Sequence, residues 1–158
     1  SALIRQRATV AAQVEALVEA HPLCPVLTSM PGIGVRTAAR ILTEVVGKDF
    51  ATAGHLASYA GIAPVTRRSG TSIRGEHAAK GGNKRLKRAL FLSAFASLHH
   101  GPSRAYYDRK RAQGKRHNQA IIALARRRTD VLFAMLRDGT LYQDPTEPQD
   151  PSPVALAA

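Results

Sequence analysis

The stretch LTSMPGIGVRTAARIL, from Leu27 to Leu42, decides the fold of this 158-residue chain. Its Pro-Gly-Ile-Gly segment, 31–34, interrupts helical spacing, because proline ends helices and glycine permits tight turns. Residues 23–30 have the pattern of a short helix, and apolar residues recur at helical spacing over 35–46. The pattern therefore predicts two helices joined by a tight turn.

This arrangement resembles a helix-hairpin-helix motif, with Gly32 and Gly34 around one hydrophobic residue and the small Ala38 four positions later. Unpaired N–H groups at the start of the second helix can bind a phosphate, and the glycines let the backbone approach it. Arg36 and Arg40 lie one helical turn apart and can flank the same strand. Such contacts hold the DNA backbone and read no base sequence. The alternative is a plain helical turn that contains two glycines.

Outward from this motif, the chain is predicted to be mainly α-helical. Further helices are expected over 2–20, over 52–60 with Thr52 as N-cap, over 83–100 with Pro102 ending the helix, over 103–113, and over 117–137 with Ile121, Leu124 and Leu132 facing inward. In the first of these, Leu3, Val10, Val14 and Leu17 have a coiled-coil-like spacing. This helix is expected either to pack on another helix, as in a coiled coil, or to lie on the domain's own core.

The charge of the chain predicts a polyanionic partner. There are 23 Lys and Arg against 11 Asp and Glu, and the stretch from Arg67 to Arg128 alone holds 17 cations and two acids. The 44% hydrophobic content excludes wholesale disorder. One cysteine excludes an internal disulfide and a Cys-rich zinc site. No apolar run approaches the roughly 20 residues of a membrane span, so no membrane is expected as a partner.

The segment 64–82 is glycine-rich and basic and predicts a loop or a small hairpin. Ser69 lies within it, and its hydroxyl can attack a phosphodiester if the developing charge is neutralised and the proton is accepted. Arg67, Arg68 and Arg74 can neutralise the charge. Glu76 and His77 are the only local candidates for the base. On these residues alone, a serine that only binds phosphate is the commoner case.

A second basic cluster opens the helix predicted at 83–100. Cations at a helix N-terminus are unfavourable for the helix dipole, and a bound phosphate would compensate for them. The alternative is a solvated helix face. The candidate DNA contacts here are Lys80, Lys84, Arg85, Lys87 and Arg88.

Four motifs occur together in a specific order: Gly-Ile-Gly at 32–34, YAGIAP at 59–64, Ser-Gly at 69–70 and KGGNKRLKRAL at 80–90. In this order they resemble the C-terminal domain of insertion-sequence transposases of the IS110/IS116/IS902 family, over about 23–142. Members of that family are DNA recombinases. They pair this domain with an N-terminal RNase-H-like domain bearing four acidic metal ligands, and some use a guide RNA to choose their DNA sites.

The resemblance implies that Ser69 is the nucleophile of DNA strand exchange during transposition. It implies Mg²⁺ in the missing N-terminal domain and no metal or other cofactor in this fragment. The fragment alone is then expected to bind DNA and to be inactive. The chain begins Ser-Ala-Leu-Ile-Arg without an initiator Met, and it is expected to be part of a longer protein.

The resulting prediction divides the chain into a coiled-coil-like linker helix (1–22), the C-terminal transposase domain (23–142) and a disordered acidic, proline-rich tail (143–158). Its expected partners are DNA, a guide RNA and further copies through the N-terminal helix, in a bacterial cytoplasm beside the nucleoid. Two alternatives stay open. One is a helix-hairpin-helix DNA-binding module without chemistry, and the other is an RNA-binding protein.

Overall fold

The protein is mainly helical, as predicted, in a computed structural model that describes residues 1–69, 73–77 and 80–145, with side chains outside 65–79. The elements in chain order are α1 (Ala2–Glu19), α2 (Cys24–Thr28), α3 (Val35–Val45), α4 (Ala53–Ala60), β1 (Val65–Ser69), β2 (Ile73–His77), α5 (Lys84–Ala96), α6 (Gly101–Ala112) and α7 (His117–Asp138). A short 3₁₀ turn (Ser97–His99) joins α5 to α6. None of the described helices is long and apolar enough to cross a membrane.

The core lies around α7, which packs against α2, α4, α5 and α6, while α3 packs on α5. The inward stripe predicted for α7 is confirmed, because Ile121, Leu124 and Leu132 are almost completely buried. They belong to one core cluster with Leu27 of α2, Ile41 of α3 and Leu86 of α5. The helices before and after the basic hairpin thus share one core, and this core fixes where the hairpin leaves the domain.

Most helix boundaries agree with the sequence patterns. Thr52 caps α4 as predicted, since its hydroxyl accepts a hydrogen bond from the His55 N–H at 3.1 Å. The prediction that Pro102 ends the preceding helix is wrong. That helix ends at Ala96, and Pro102 lies in the first turn of α6, where its missing N–H removes no helical hydrogen bond.

The hairpin alternative for the glycine-rich segment is confirmed. β1 and β2 pair in antiparallel register, with Arg68 opposite Arg74 and Ser69 opposite Ile73. Residues 70–72 lie outside the described residues.

Helix α1 forms as predicted, but its apolar stripe does not lie on the domain's own core. Leu3, Val10 and Leu17 are 77%, 51% and 74% exposed, and Val18 is the one buried residue of the helix. Contacts with α2 and α3 hold the helix on the domain. The exposed stripe is unpartnered within the described part of the chain.

The tail predicted from Gln143 onward falls partly outside the described residues. Within residues 141–145, the Tyr142 N–H donates to the Ser29 hydroxyl at 2.8 Å, and Asp144 pairs with His100 at 2.6 Å. This part of the segment therefore lies against α2 and the start of α6. Residues 146–158 lie outside the described residues, so the tail itself stays a prediction.

Candidate nucleic-acid interface

The predicted helical hairpin is formed by α2, a turn and α3. Within the turn the Ile33 N–H donates to the Met30 carbonyl at 3.1 Å, and Gly34 is the N-cap residue of α3 with an extended backbone. No side chain caps α3, and no acidic residue lies in its first turn. Its first backbone N–H groups therefore lack an intrahelical acceptor, which is the property needed to bind an anion.

The two glycines of the turn have different environments. Gly32 has φ +89°, and a Cβ there would fall on the Ser93 carbonyl oxygen and lie 2.9 Å from the Ser97 nitrogen. Gly34 has φ −93°, and a Cβ there would meet no atom within 4 Å. Gly32 thus lets the turn pack directly on the end of α5, whereas Gly34 faces open space and suits a close approach by a ligand.

A buried arginine holds the same turn from the other side. Arg128 of α7 donates to the Pro31 carbonyl at 2.5 Å and to the Ser93 hydroxyl at 2.8 Å. Burial lowers the pKa of the Arg128 guanidinium to about 10. Three consecutive residues of a helix, such as 126–128, spread around more than half of its circumference. One of them is therefore expected to point into the protein or toward a ligand. Arg128 is that member.

A cleft of about 260 Å³ lies between α3 and α5, and we call it the arginine cleft. It is lined by Arg40 and Glu44 of α3 and by Arg85 and Arg88 of α5, together with Thr43. The three arginines are exposed, and they were predicted as DNA contacts on separate grounds. The fold therefore brings α3 and the basic N-terminal turns of α5 together.

One carboxylate belongs to this cleft. Glu44 accepts a hydrogen bond from the Asn83 side-chain amide at 2.6 Å, and the same amide group donates to the Tyr59 hydroxyl at 3.0 Å. The Asn83 side-chain oxygen caps α5 by accepting from the N–H groups of Arg85 and Leu86. Glu44 thus places a negative charge near the N-terminus of α5. This charge offsets part of the unfavourable interaction between the cations at the start of α5 and the helix dipole.

The Tyr59 phenol belongs to the same network. Its hydrogen bond with Asn83 and then that with Lys48 lower the pKa of Tyr59, and the Lys48 ammonium lies 5.4 Å from its ring centroid. Sequence reasoning missed Glu44 and this network, because Glu44 and Asn83 are 39 positions apart. The signal available beforehand was Asn83 itself, a favoured N-cap residue directly before a helix.

The other predicted contacts are more dispersed. Arg36 forms an ion pair with Glu15 of α1 at 2.9 Å, yet its side chain remains 85% exposed. Lys80 and Lys84 are exposed near the start of α5. Lys87 lies on a different cleft, beside residues 61–64. Arg67, Arg68 and Arg74 occupy strand positions of the hairpin, but their side chains lie outside the described part of the structure.

The base of the hairpin is closed by two glycines in direct backbone contact. Gly61 has φ +72° and a Cβ on it would fall on the Gly81 carbonyl oxygen, while a Cβ on Gly82, at φ +96°, would lie 2.7 Å from the Gly61 backbone. The Asn83 N–H donates to the Tyr59 carbonyl at 2.7 Å beside this crossing. Two of the motifs quoted above, 59–64 and 80–90, therefore meet in space and fix the base of the hairpin that carries Ser69.

Comparison with known proteins places the chain among transposases. Residues 24–108 match the model of the Transposase IS116/IS110/IS902 family, which is more than half of the chain, and the chain belongs to that family. The resemblance read from the ordered motifs is thereby confirmed.

Three relatives illustrate the relationship. The 43.6 kDa protein of insertion element IS110 from Streptomyces coelicolor is 62% identical over 160 residues, covering 100% of this chain and 38% of that protein. The 42 kDa protein of IS900 from Mycobacterium paratuberculosis is 46% identical, covering 85% of this chain and 35% of its own length. A pilin gene-inverting protein from Moraxella bovis is 36% identical, covering 70% of this chain and 36% of that protein. The chain thus spans little more than a third of these relatives.

Proposed function

We propose that this chain binds DNA through the arginine cleft and supplies Ser69 as the nucleophile of strand exchange in transposition. The observation that carries the proposal is the convergence of Arg40, Arg85 and Arg88 on one cleft. The names of the relatives, which include insertion-element proteins and a gene-inverting protein, support a role in moving or inverting DNA segments.

The binding step follows from charge and backbone geometry. Phosphates of a duplex lie against the three arginines, and the uncapped N–H groups at the start of α3 take a further phosphate beside Gly34. Arg36, Lys80 and Lys84 are exposed around this area and add to the attraction. Because each neutralised phosphate releases counterions, affinity falls steeply as salt rises.

The chemical step is a phosphoryl transfer at the hairpin. The Ser69 oxygen forms a bond to phosphorus, the bond from phosphorus to one strand oxygen breaks, and the serine proton passes to a base. Arg67, Arg68 and Arg74 on the two strands neutralise the charge that develops on the phosphate oxygens. The product is a serine–DNA ester, which the hydroxyl of another strand resolves to complete the exchange.

The Mg²⁺ ion of the family belongs, in this proposal, to an RNase-H-like domain outside this chain. The described residues hold no cluster of three or more His, Cys, Asp or Glu side chains, so the part of the chain in view does not fit such an ion. The chain by itself is then a DNA-binding part that needs its partner domain for chemistry.

Two further partners belong to the proposal. The exposed apolar stripe of α1 supports assembly with further copies of the protein, since coiled-coil spacing and exposure coincide there. A guide RNA is proposed from the family resemblance alone. The cellular setting proposed is the bacterial cytoplasm, at the nucleoid.

The test is a Ser69→Ala variant of the protein that joins this chain to its RNase-H-like domain, with Ser72→Ala as a matched control on the same hairpin segment. Ser69→Ala should abolish strand exchange and the covalent serine–DNA adduct while duplex binding stays close to that of the parent. Ser72→Ala should keep all three. Strand exchange by the Ser69→Ala protein would leave the non-catalytic DNA-binding module as the better description.

A further inference from the structure

A second basic cleft lies on the other side of α5, and we call it the foot cleft. Its volume is about 510 Å³, and it is bounded by the foot of the hairpin at 61–64 and by α5, α6 and α7. Its polar lining consists of Lys87, Lys110, Lys115, Arg126, Asn118 and Gln119, together with Tyr106, which carries a hydroxyl group. Only Lys87 of these was among the residues predicted from the sequence.

The electrostatics of the foot cleft favour an anion. Four cationic side chains line it, and no carboxylate occurs among its described lining residues. Arg126 is paired with Asp130 at 2.7 Å, so its charge is partly offset. Lys110 lies 5.3 Å from the Tyr106 ring centroid and 3.3 Å from the Gln113 side-chain oxygen, and Lys115 is exposed. Lys87, Lys110 and Lys115 therefore supply most of the positive charge that lines the cleft.

The second property of the cleft is the apolar part of its lining, which we call the apolar wall. Ile62, Ala63 and Pro64 at the hairpin foot and Ile122 and Ala123 of α7 form this wall. A cleft lined by both cations and apolar side chains suits a ligand with a charged group and a flat apolar group. A nucleotide unit has both, namely a phosphate and a base.

Size and hydrogen-bonding groups narrow the ligand further. The cleft volume of about 510 Å³ is of the size that holds a small ligand. Asn118 and Gln119 provide amide groups, which pair with base edges. Gln119 uses its side-chain oxygen to accept the Arg116 N–H at 2.9 Å, so its NH₂ group remains the donor.

We propose that the foot cleft binds one unpaired DNA nucleotide next to the phosphate held at the hairpin. This inference rests on the proposed function, because it assigns a place to a strand that strand exchange must unpair. The base lies against the wall of Ile62 and Ile122, and its phosphate lies between Lys110 and Lys115. The arginine cleft then holds duplex DNA, and the foot cleft holds the nucleotide that leaves the duplex.

The test compares this chain's affinity for an intact duplex with that for the same duplex carrying unpaired thymidines, by fluorescence anisotropy at fixed salt. The parent should bind the second DNA more tightly. Lys115→Gln and Lys110→Gln should each weaken that complex about fivefold, the loss expected for one typical hydrogen bond, and leave duplex affinity nearly unchanged. Arg7→Gln on α1, outside the cleft, is the matched control for a lost exposed cation and should change neither.

The outcomes separate this inference from the proposed function. Equal losses on both DNAs, or no effect of either lysine, would overturn the foot cleft as a nucleotide site while leaving duplex binding in place. Tighter, lysine-dependent binding of an RNA strand of the same sequence would overturn the assignment to DNA. Failure of the parent to bind any duplex, or duplex binding insensitive to Arg85→Gln with Arg88→Gln, would overturn the proposed function itself. Lys115→Gln removes a side chain on the exposed surface, so it tests the site even if Lys110→Gln disturbs the packing around Tyr106.

Discussion

The Gly32→Ala substitution tests whether the first glycine of the turn serves packing rather than ligand approach. Alanine at φ +89° costs about 1–2 kcal/mol, because its Cβ crowds the following carbonyl. The same Cβ overlaps the Ser93 carbonyl and the Ser97 nitrogen of the α5 end, and overpacking of this kind costs about 1–3 kcal/mol. Reduced freedom of the unfolded chain returns about 0.4–1 kcal/mol. The midpoints of these ranges give an expected loss in the free energy of unfolding of about 3 kcal/mol.

Urea denaturation followed by far-UV circular dichroism measures this loss. The matched control is Gly34→Ala, two positions away, where the backbone is extended and the new methyl group meets open space. Its stability cost should stay within about 1 kcal/mol, the usual effect of replacing a favourable N-cap residue by alanine. In a melting experiment the two variants should differ by several degrees, since about 1 kcal/mol corresponds to roughly 2–4 °C at this size.

The binding arm of the same experiment has the opposite order. Gly34→Ala should remain folded yet bind duplex DNA more weakly, because the methyl group stands where a phosphate approaches the α3 amides. The packing role of Gly32 is refuted if Gly32→Ala unfolds at the parent's urea midpoint, or if the two variants lose equal stability. Unchanged DNA affinity in Gly34→Ala would remove the turn from the proposed interface.

Two further predictions address the arginine cleft and the hairpin base. Glu44→Gln keeps an oxygen acceptor for the Asn83 amide but removes the carboxylate of the arginine cleft. Duplex affinity measured by anisotropy should therefore rise about two- to fivefold, corresponding to roughly 0.3–1 kcal/mol of relieved repulsion. A drop in affinity would contradict phosphate binding in this cleft. Gly82→Ala should lower the unfolding midpoint in urea by disrupting the contact with Gly61, whereas Gly81→Ala, with open space around its Cβ, should not; equal effects would show that the crossing is not tight.

Sequence periodicity predicted those parts of the fold that are determined locally. The α7 stripe through Ile121 and Leu124 repeats every three to four residues, and Thr52 stands where an N-cap belongs. The hairpin was one of two alternatives for a glycine-rich segment with β-prone ends. In each case the neighbours in sequence are the residues that decide the structure.

The interface was predictable only in part, because it depends on contacts between distant segments. The local patterns indicated Arg40 and Arg85 separately, and the α3–α5 packing that joins them has no local signature. Glu44 bonds to Asn83, which is 39 positions away, and the buried Arg128 donates to Pro31, which is 97 positions away. The packing role of Gly32 could not be read either, since a turn glycine is equally suited to bind a phosphate or to admit a neighbouring helix.

The crossing of Gly61 and Gly82 has a consequence for how this family of proteins can diversify. The segment between the two glycines joins the helical domain at this crossing, and Ile62, directly after Gly61, still belongs to the core. Changes in the length or composition of 64–80 should then have little effect on the packing of the helices, because the two ends of the segment stay fixed. The hairpin can then vary, or be exchanged for that of a relative, while the helical domain stays unchanged.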